Sequence, residues 1–290
     1  MTDTTNANNT SPWYAFATLA LGKAVRWASR VTRHGGSAFP GKVVEQADPD
    51  FLKRTLAQLP LGVVLVSGTN GKTTTTRMVA MMLESLGLKV FTNPTGSNFT
   101  RGVVSALLNE IGLNGRLDAD IAVLELDEAY AVHFVEQVRP RYALLLNVMR
   151  DQLDRFGEID NTARLLGQVA ARTDGTVVLN REDPRIARLA ELTPAATAVS
   201  FFGFSQPLRK FFPTDDEMTA TVMLQRDDAG ERVELAANVP EHPSALRADV
   251  MLTEVGDHHA RMLIDGEEYD SDVKLEGVYN LYNAAAALAV

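Results

Sequence analysis

A lysine and a row of threonines behind two glycines are the groups best placed to do chemistry in this chain. Residues 63–75 read V-V-L-V-S-G-T-N-G-K-T-T-T. Gly68 and Gly71 permit backbone conformations that a Cβ would forbid, so the N–H groups of the Gly68-Thr69-Asn70-Gly71 turn can face one anion. Lys72 has the reach for β- and γ-phosphates, and the Thr73 hydroxyl, with Thr74 beside it, suits a phosphate-bound Mg²⁺. The spacing is the short G-T-N-G-K-T form. The longer G-x-x-x-x-G-K-[ST] pattern would need a glycine at 66, where Val66 stands. The chemistry implied is the binding of a nucleoside triphosphate.

A triphosphate loop needs carboxylates for its metal. Residues 121–128 read I-A-V-L-E-L-D-E, an apolar run that ends in Glu125, Asp127 and Glu128. In open α/β sheets ligands gather at the carboxyl ends of strands, so Glu125 or Glu128 is expected near the Mg²⁺. A second run, from Leu144 to Gly157, places Asn147, Arg150, Asp151, Gln152, Asp154 and Arg155 just past an apolar stretch. Such density suits phosphate and metal handling. Asn180 and Asp183 follow a third apolar run. They either hold a nucleotide or cap a helix that starts at Pro184.

The elements that must position these groups alternate. Strands are expected over Val63 to Ser67, Lys89 to Thr92, Ile121 to Leu126, Tyr142 to Asn147 and Thr176 to Asn180. Helices are expected over Phe51 to Gln58, Thr74 to Leu86, Gly102 to Glu110, Ala129 to Val138, Asn161 to Ala171 and Pro184 to Glu191. This order predicts an α/β fold with a mostly parallel sheet flanked by helices. The glycine-rich stretch from His34 to Gly41 reads as a break. Short strands over Thr219 to Leu224, Glu231 to Ala237, Ala248 to Glu254, His259 to Ile264 and Asp272 to Leu275 predict a small antiparallel extension. An alanine-rich helix over Tyr282 to Val290 closes the chain without a capping glycine, as if a further domain followed.

Composition narrows the classes. The 290 residues carry 28 basic and 37 acidic side chains, a net charge of −9, which argues against a general nucleic-acid surface. Hydrophobic residues make up 46%, enough for a substantial core. With no cysteine, disulfides and thiolate zinc sites are excluded, and a reducing cytoplasm is compatible. No apolar run is long enough to span a membrane. The segment from Trp13 to Val31 carries Lys23, Arg26 and Arg30 at helical spacing beside aromatic and aliphatic residues. It is either a basic amphipathic helix on an anionic membrane surface or a helix packed on the main domain.

Together, G-T-N-G-K-T-T at 68–74, E-L-D-E at 125–128, D-Q-L-D-R-F-G at 151–157, N-R-E-D-P at 180–184 and G-V-Y-N-L-Y-N at 277–283 resemble the Mur ligase superfamily. Within it the chain is most similar to the MurT group, through R-H-G-G-S-A-F-P-G-K at 33–42 and N-P-T-G-S-N-F-T-R-G-V-V-S-A-L-L at 93–108. The resemblance implies an ATP-dependent amidation of the α-carboxylate of D-glutamate in the lipid II stem peptide, through an acyl phosphate, in the cytoplasm, either free there or at the inner face of the membrane. It implies ammonia from a GatD-type glutaminase subunit. A chain without cysteine has no thiol to act as a glutaminase nucleophile itself. By the same resemblance Lys72 and Glu125 are catalytic, Thr73 and Glu125 bind Mg²⁺ with Glu128 as a second acid, and Asn280 and Asn283 contact the nucleotide. It divides the chain into an N-terminal helix and loop (1–49) and a central ATP-binding domain (50–290) with a β-rich insert at about 205–276. A C-terminal ligase domain is expected outside the chain.

Three departures bear on this. Peptide-forming members show D-H-L-D where this chain has Gln152. They also use a modified lysine shortly after, and no lysine stands between Lys89 and Lys210. Many MurT sequences carry a four-cysteine zinc ribbon after about residue 205, which this chain cannot form. The alternatives are an amino-acid-adding or folylpolyglutamate-type ligase and a non-catalytic nucleotide-binding scaffold.

Overall fold

The computed structural model describes residues 17–25, 39–93, 96–112, 114–149, 158–212, 225–226, 232–233, 246–256, 259–272 and 277–290. The elements run in chain order. A helix over residues 17–25 (α1) precedes α2 (Phe39–Ala47), α3 (Phe51–Leu56), β1 (Val63–Ser67), α4 (Lys72–Ser85), β2 (Val90–Thr92), α5 (Thr100–Glu110) and β3 (Ile121–Glu125). Then come α6 (Glu128–Gln137), β4 (Tyr142–Leu145), α7 (Glu158–Ala170), β5 (Thr176–Asn180), α8 (Pro184–Ala187) and β6 (Ala198–Phe204). The described part ends with β7 (Gln225–Arg226), β8 (Arg232–Val233), β9 (Val250–Gly256), β10 (His259–Ile264), β11 (Glu267–Asp272) and α9 (Val278–Leu288).

One sheet of nine strands organises the molecule, in the order β11-β10-β9-β6-β5-β4-β1-β3-β2. From β2 to β9 every pairing is parallel, and β10 and β11 continue the same sheet antiparallel. β1 lies between β3 and β4, so the chain leaves it in one direction for β2 and β3 and returns on the other side at β4. That is the reversal point at which open α/β sheets hold ligands.

β1 is buried throughout because it carries helices on both faces, and an all-apolar run is what such a strand requires. Alternation sends Val63 and Leu65 into a core shared with α5, α6 and α7. Val64 and Val66 enter a second core with Val79 of α4 and Leu281, Ala284, Ala285, Ala286 and Ala287 of α9. Those alanines let α9 lie close against α4, β6 and β9. The second turn of α9, with Asn283, is thereby brought to the loop that follows β1.

Several sequence expectations need correction. α2 occupies part of the stretch that reads as a break. Pro40 falls in its first turn, where a missing N–H costs nothing. Gly41 is there because a Cβ would come 2.1 Å from the Arg101 carbonyl oxygen. β6 arises where no strand is expected and joins the parallel set to β9. The helix expected to reach Glu191 turns into a 3₁₀ turn at Arg188–Leu192. β11 lies just before the strand expected at Asp272 to Leu275, of which Asp272 alone is among the described residues. Asp265 (φ 51°) and Gly266 (φ 94°) close a two-residue hairpin after β10, which sets its register. α9 starts at Val278 rather than Tyr282. The strand expected at Thr219 to Leu224 lies outside the described residues, as does Glu231 to Ala237 apart from Arg232 and Val233.

Of the segment Trp13 to Val31, residues 17–25 are described. This part packs on the domain. Leu19 is buried, Gly22 lies against Val44 and Leu108, and Lys23 Nζ donates to the Ile111 carbonyl at 2.8 Å. Among the described residues no helix is long and apolar enough to cross a membrane.

Candidate functional site

The loop between β1 and α4 turns on two glycines. Gly68 has φ 135° and Gly71 has φ 84°, both in the region that a side chain strains. A Cβ at Gly68 would come 3.0 Å from the backbone N and O of Asn147, so the loop is pressed against the end of β4. Asn147 holds it there. Its carbonyl accepts from Thr69 N at 3.0 Å. Its side chain accepts from Asn70 N at 2.8 Å and donates to the Asn70 carbonyl at 2.9 Å, as a neighbouring strand would. Met149 N donates to Thr69 Oγ1 at 3.1 Å.

This clasp revises which N–H groups are open to an anion. Those of Thr69 and Asn70 are spent on Asn147. The backbone N–H groups of Gly71, Lys72 and Thr73 have no acceptor among the described residues, because they open α4. They sit where the positive end of the α4 dipole adds to them.

Lys72 folds back over the loop. Its Nζ donates to the carbonyls of Gly68 (2.7 Å) and Thr69 (3.1 Å) and lies 3.2 Å from Asp127 Oδ1. The Thr73 hydroxyl donates to Glu125 Oε1 at 2.8 Å. Glu125 is the last residue of β3 and is only 7% exposed, so the Thr73 hydroxyl bonds a carboxylate largely withdrawn from water. Asn93 grips its backbone, accepting from Glu125 N and donating to the Glu125 carbonyl, both at 2.9 Å. Ser67 Oγ ties β1 to the next residue by donating to the Leu126 carbonyl at 2.8 Å.

The other expected residues fall in distinct places. Glu128 opens α6, half-buried, and has no side-chain partner among the described residues. Thr74 is half-buried on α4. Asn283 reaches the loop, since a Cβ on Gly71 would meet its Oδ1 at 2.8 Å. Asn280 lies one turn earlier on α9 and its N–H donates to the Gly277 carbonyl at 3.0 Å. Asn180 and Asp183 serve the framework. Asn180 donates to the Leu146 carbonyl (2.8 Å), and its Oδ1 accepts from Glu182 N (2.9 Å) and from the Tyr282 hydroxyl. Asp183 caps α8 through Arg185 N and Ile186 N and also accepts from Val148 N at 2.8 Å. Burial pushes the Asp183 carboxyl above the usual carboxylate range despite those three N–H donors. Burial, reinforced by Glu182, pushes the Tyr282 phenol well above its ordinary value, so it remains a donor to Asn180. Arg150, Asp151, Gln152, Asp154 and Arg155 lie outside the described residues.

A cavity of about 790 Å³ opens at the other end of the sheet, among Lys53, Arg139, Arg141 and Arg172. It contains no residue of the loop. Lys53, Arg139 and Arg172 follow or close α3, α6 and α7, whose carboxyl ends they offset.

Asp127 and Asn147 stand among the polar residues that the sequence places at strand ends, whereas Asn93 and Asn98 carry no spacing signal of their own. What the four share is position: each follows a parallel strand at the edge where the loop lies.

A phosphate-type loop at the reversal point of a parallel sheet, with a threonine bonded to the acid of the adjacent strand, defines a P-loop α/β domain. The family model described as Mur ligase middle domain matches residues 66–290, and the chain belongs to the Mur ligase family. It is 31% identical to the lipid II isoglutaminyl synthase (glutamine-hydrolyzing) subunit MurT of Streptococcus pneumoniae, over 88% of this chain and 57% of that protein. It is 27% identical to the same subunit of Staphylococcus aureus strain COL, over 93% of this chain and 61% of that protein. The chain thus spans about three-fifths of the length of these relatives. Among solved structures it is similar to MurF from Acinetobacter baumannii (TM-score 0.59, 20% identity, 85% of this chain and 45% of that one). MurF from Thermotoga maritima, solved in complex with ADP, matches with TM-score 0.59 and 18% identity, over 86% of this chain and 48% of that one.

Proposed function

We propose that this chain is the nucleotide-binding part of a MurT-type synthetase that uses ATP to amidate the α-carboxylate of D-glutamate in the lipid II stem peptide. The observation that carries this reading is the Thr73–Glu125 hydrogen bond of 2.8 Å beside Lys72, in a chain 31% identical to a MurT subunit. The division into a short N-terminal segment and this central domain, with substrate-closing residues elsewhere in the protein, belongs to the same proposal.

The residues fit the cofactors. Hydroxyl and carboxylate oxygens are the hard donors that Mg²⁺ prefers, and Thr73, Glu125 and Glu128 supply them. Bound there, Mg²⁺ neutralises charge on the phosphates. The N–H groups of Gly71, Lys72 and Thr73 cradle the phosphate chain, the Lys72 ammonium draws charge from the transferring group, and Asn283 flanks the loop. A carboxylate is a poor electrophile because its leaving group would be oxide. Attack of a carboxylate oxygen on the γ-phosphorus, with ADP leaving, gives an acyl phosphate whose leaving group is phosphate. Ammonia then adds to that carbonyl, a proton is lost, and phosphate departs to leave the amide. The ammonia comes from a GatD-type glutaminase subunit.

The test uses lipid II whose glutamate carboxylate carries ¹⁸O, with the full-length protein, the glutaminase, ATP and glutamine. One ¹⁸O per turnover in the released phosphate is the expected result. Amide formation with unlabelled phosphate contradicts the acyl phosphate.

A further inference from the structure

We infer that Asp127 is a positioning residue that holds Lys72 in a parked state and is exchanged for the triphosphate when nucleotide binds. The inference rests on the loop's being a nucleotide site. Asp127 occupies the N-cap position of α6, where an aspartate ordinarily accepts from the helix's own first N–H groups. Here its side chain makes no such bond. It is turned toward the loop, with Oδ1 3.2 Å from Lys72 Nζ and Oδ2 accepting from Asn98 Nδ2. Asn98 also accepts from Asp127 N at 3.0 Å, so the aspartate is fixed by backbone and side chain together.

An ammonium has three protons to give. Lys72 directs them at the Gly68 carbonyl, the Thr69 carbonyl and Asp127. No proton is left for a phosphate. Of the three acceptors Asp127 is the one that a phosphate can replace. The two carbonyls belong to the loop that Asn147 clasps, whereas the Asp127 side chain is 37% exposed and its contact is the longest. A γ-phosphate offers Lys72 a stronger charged acceptor and repels the aspartate. A diphosphate lacks that group, so Asp127 retakes the lysine when ADP remains. The pair therefore favours triphosphate over diphosphate and assists product release.

The test compares Asp127→Asn and Asp127→Glu with the unaltered chain, by fluorescence titration with ATP and ADP in Mg²⁺ and by the rate at which an amine-acylating reagent modifies Lys72 without nucleotide. Asparagine leaves the helix start unchanged, since the Asp127 side chain makes no capping bond that could be lost. Asp127→Asn is expected to tighten ATP binding roughly three- to fivefold, the factor carried by a partly exposed ion pair, and ADP binding by less. It is also expected to speed acylation of Lys72, while Asp127→Glu restores both values. Unchanged or weaker ATP binding in Asp127→Asn, with unchanged acylation, overturns the inference, and weaker binding assigns Asp127 to the metal instead. If the unaltered chain binds neither nucleotide, the nucleotide reading itself fails, and the inference falls with it.

Discussion

Replacing Asn147 by alanine removes the clasp on the phosphate loop without touching any group proposed to meet the phosphates. The side chain makes two hydrogen bonds to the Asn70 backbone, of 2.8 and 2.9 Å, at a solvent-exposed position. The Thr69 N to Asn147 carbonyl bond survives, because it uses the backbone. Two exposed neutral hydrogen bonds are together worth about 1–2 kcal/mol. If that free energy pre-organises the loop, its loss appears in nucleotide affinity as a factor of about 5–30. Global stability should fall little, because Asn70 N and the Asn70 carbonyl regain water as partners. Isothermal titration with ATP and Mg²⁺, beside a thermal melt of the same samples, measures both. Unchanged affinity would refute the claim that Asn147 shapes the loop. A large drop in melting temperature with proportionate loss of binding would make it a general stability residue.

Gly71→Ala forces a side chain into a φ of 84° and onto Asn283 Oδ1. A loss of about 1–2 kcal/mol in denaturant unfolding is expected, with weaker nucleotide binding. Tyr282→Phe removes a buried donor from Asn180, whose Oδ1 still accepts from Glu182 N. About 1 kcal/mol of stability should be lost by the same measurement. Asp183 gives a pH signature. Its folded pKa is raised by burial, so the folded state binds its proton more tightly than the unfolded state does. Its contribution is fully present below the unfolded pKa and is lost as pH rises through the folded value. Asp183→Asn carries no such proton, so the stability difference between wild type and variant should shift toward the variant as pH is raised from about 4. A difference that is flat with pH would remove Asp183 as the cause.

The parallel sheet was legible because its central strands are apolar throughout and end in glycine or acid, and the loop was legible because Gly68, Gly71 and Lys72 have a fixed spacing. Thr73 and Glu125, expected near one metal on separate grounds, lie within a hydrogen bond of each other. β6 was not legible. Its residues A-V-S-F-F-G-F contain a glycine and begin half-exposed, so they lack both the alternating and the fully apolar pattern. α2 was hidden by Pro40 and Gly41, whose usual meaning is a turn; the first fits a helix start, and the second admits the Arg101 carbonyl. Asn180 and Asp183 show the limit of reading sites from strand ends. Both stand at the functional edge, yet their polar atoms are engaged by Leu146, Glu182, Tyr282, Val148, Arg185 and Ile186. Asn147 and Asp127 act through partners distant in sequence, which no local spacing encodes.

The central claim is that this loop and its acids drive amidation of a carboxylate. Its most direct measurement is the mass of lipid II after incubation with the full-length protein, a GatD-type glutaminase subunit, ATP, Mg²⁺ and glutamine. The account predicts a loss of about one dalton in the stem peptide, the replacement of hydroxyl by amine, and no loss when Lys72 is alanine. An unchanged mass with the active-site residues intact, or an equal loss in Lys72→Ala, would contradict it.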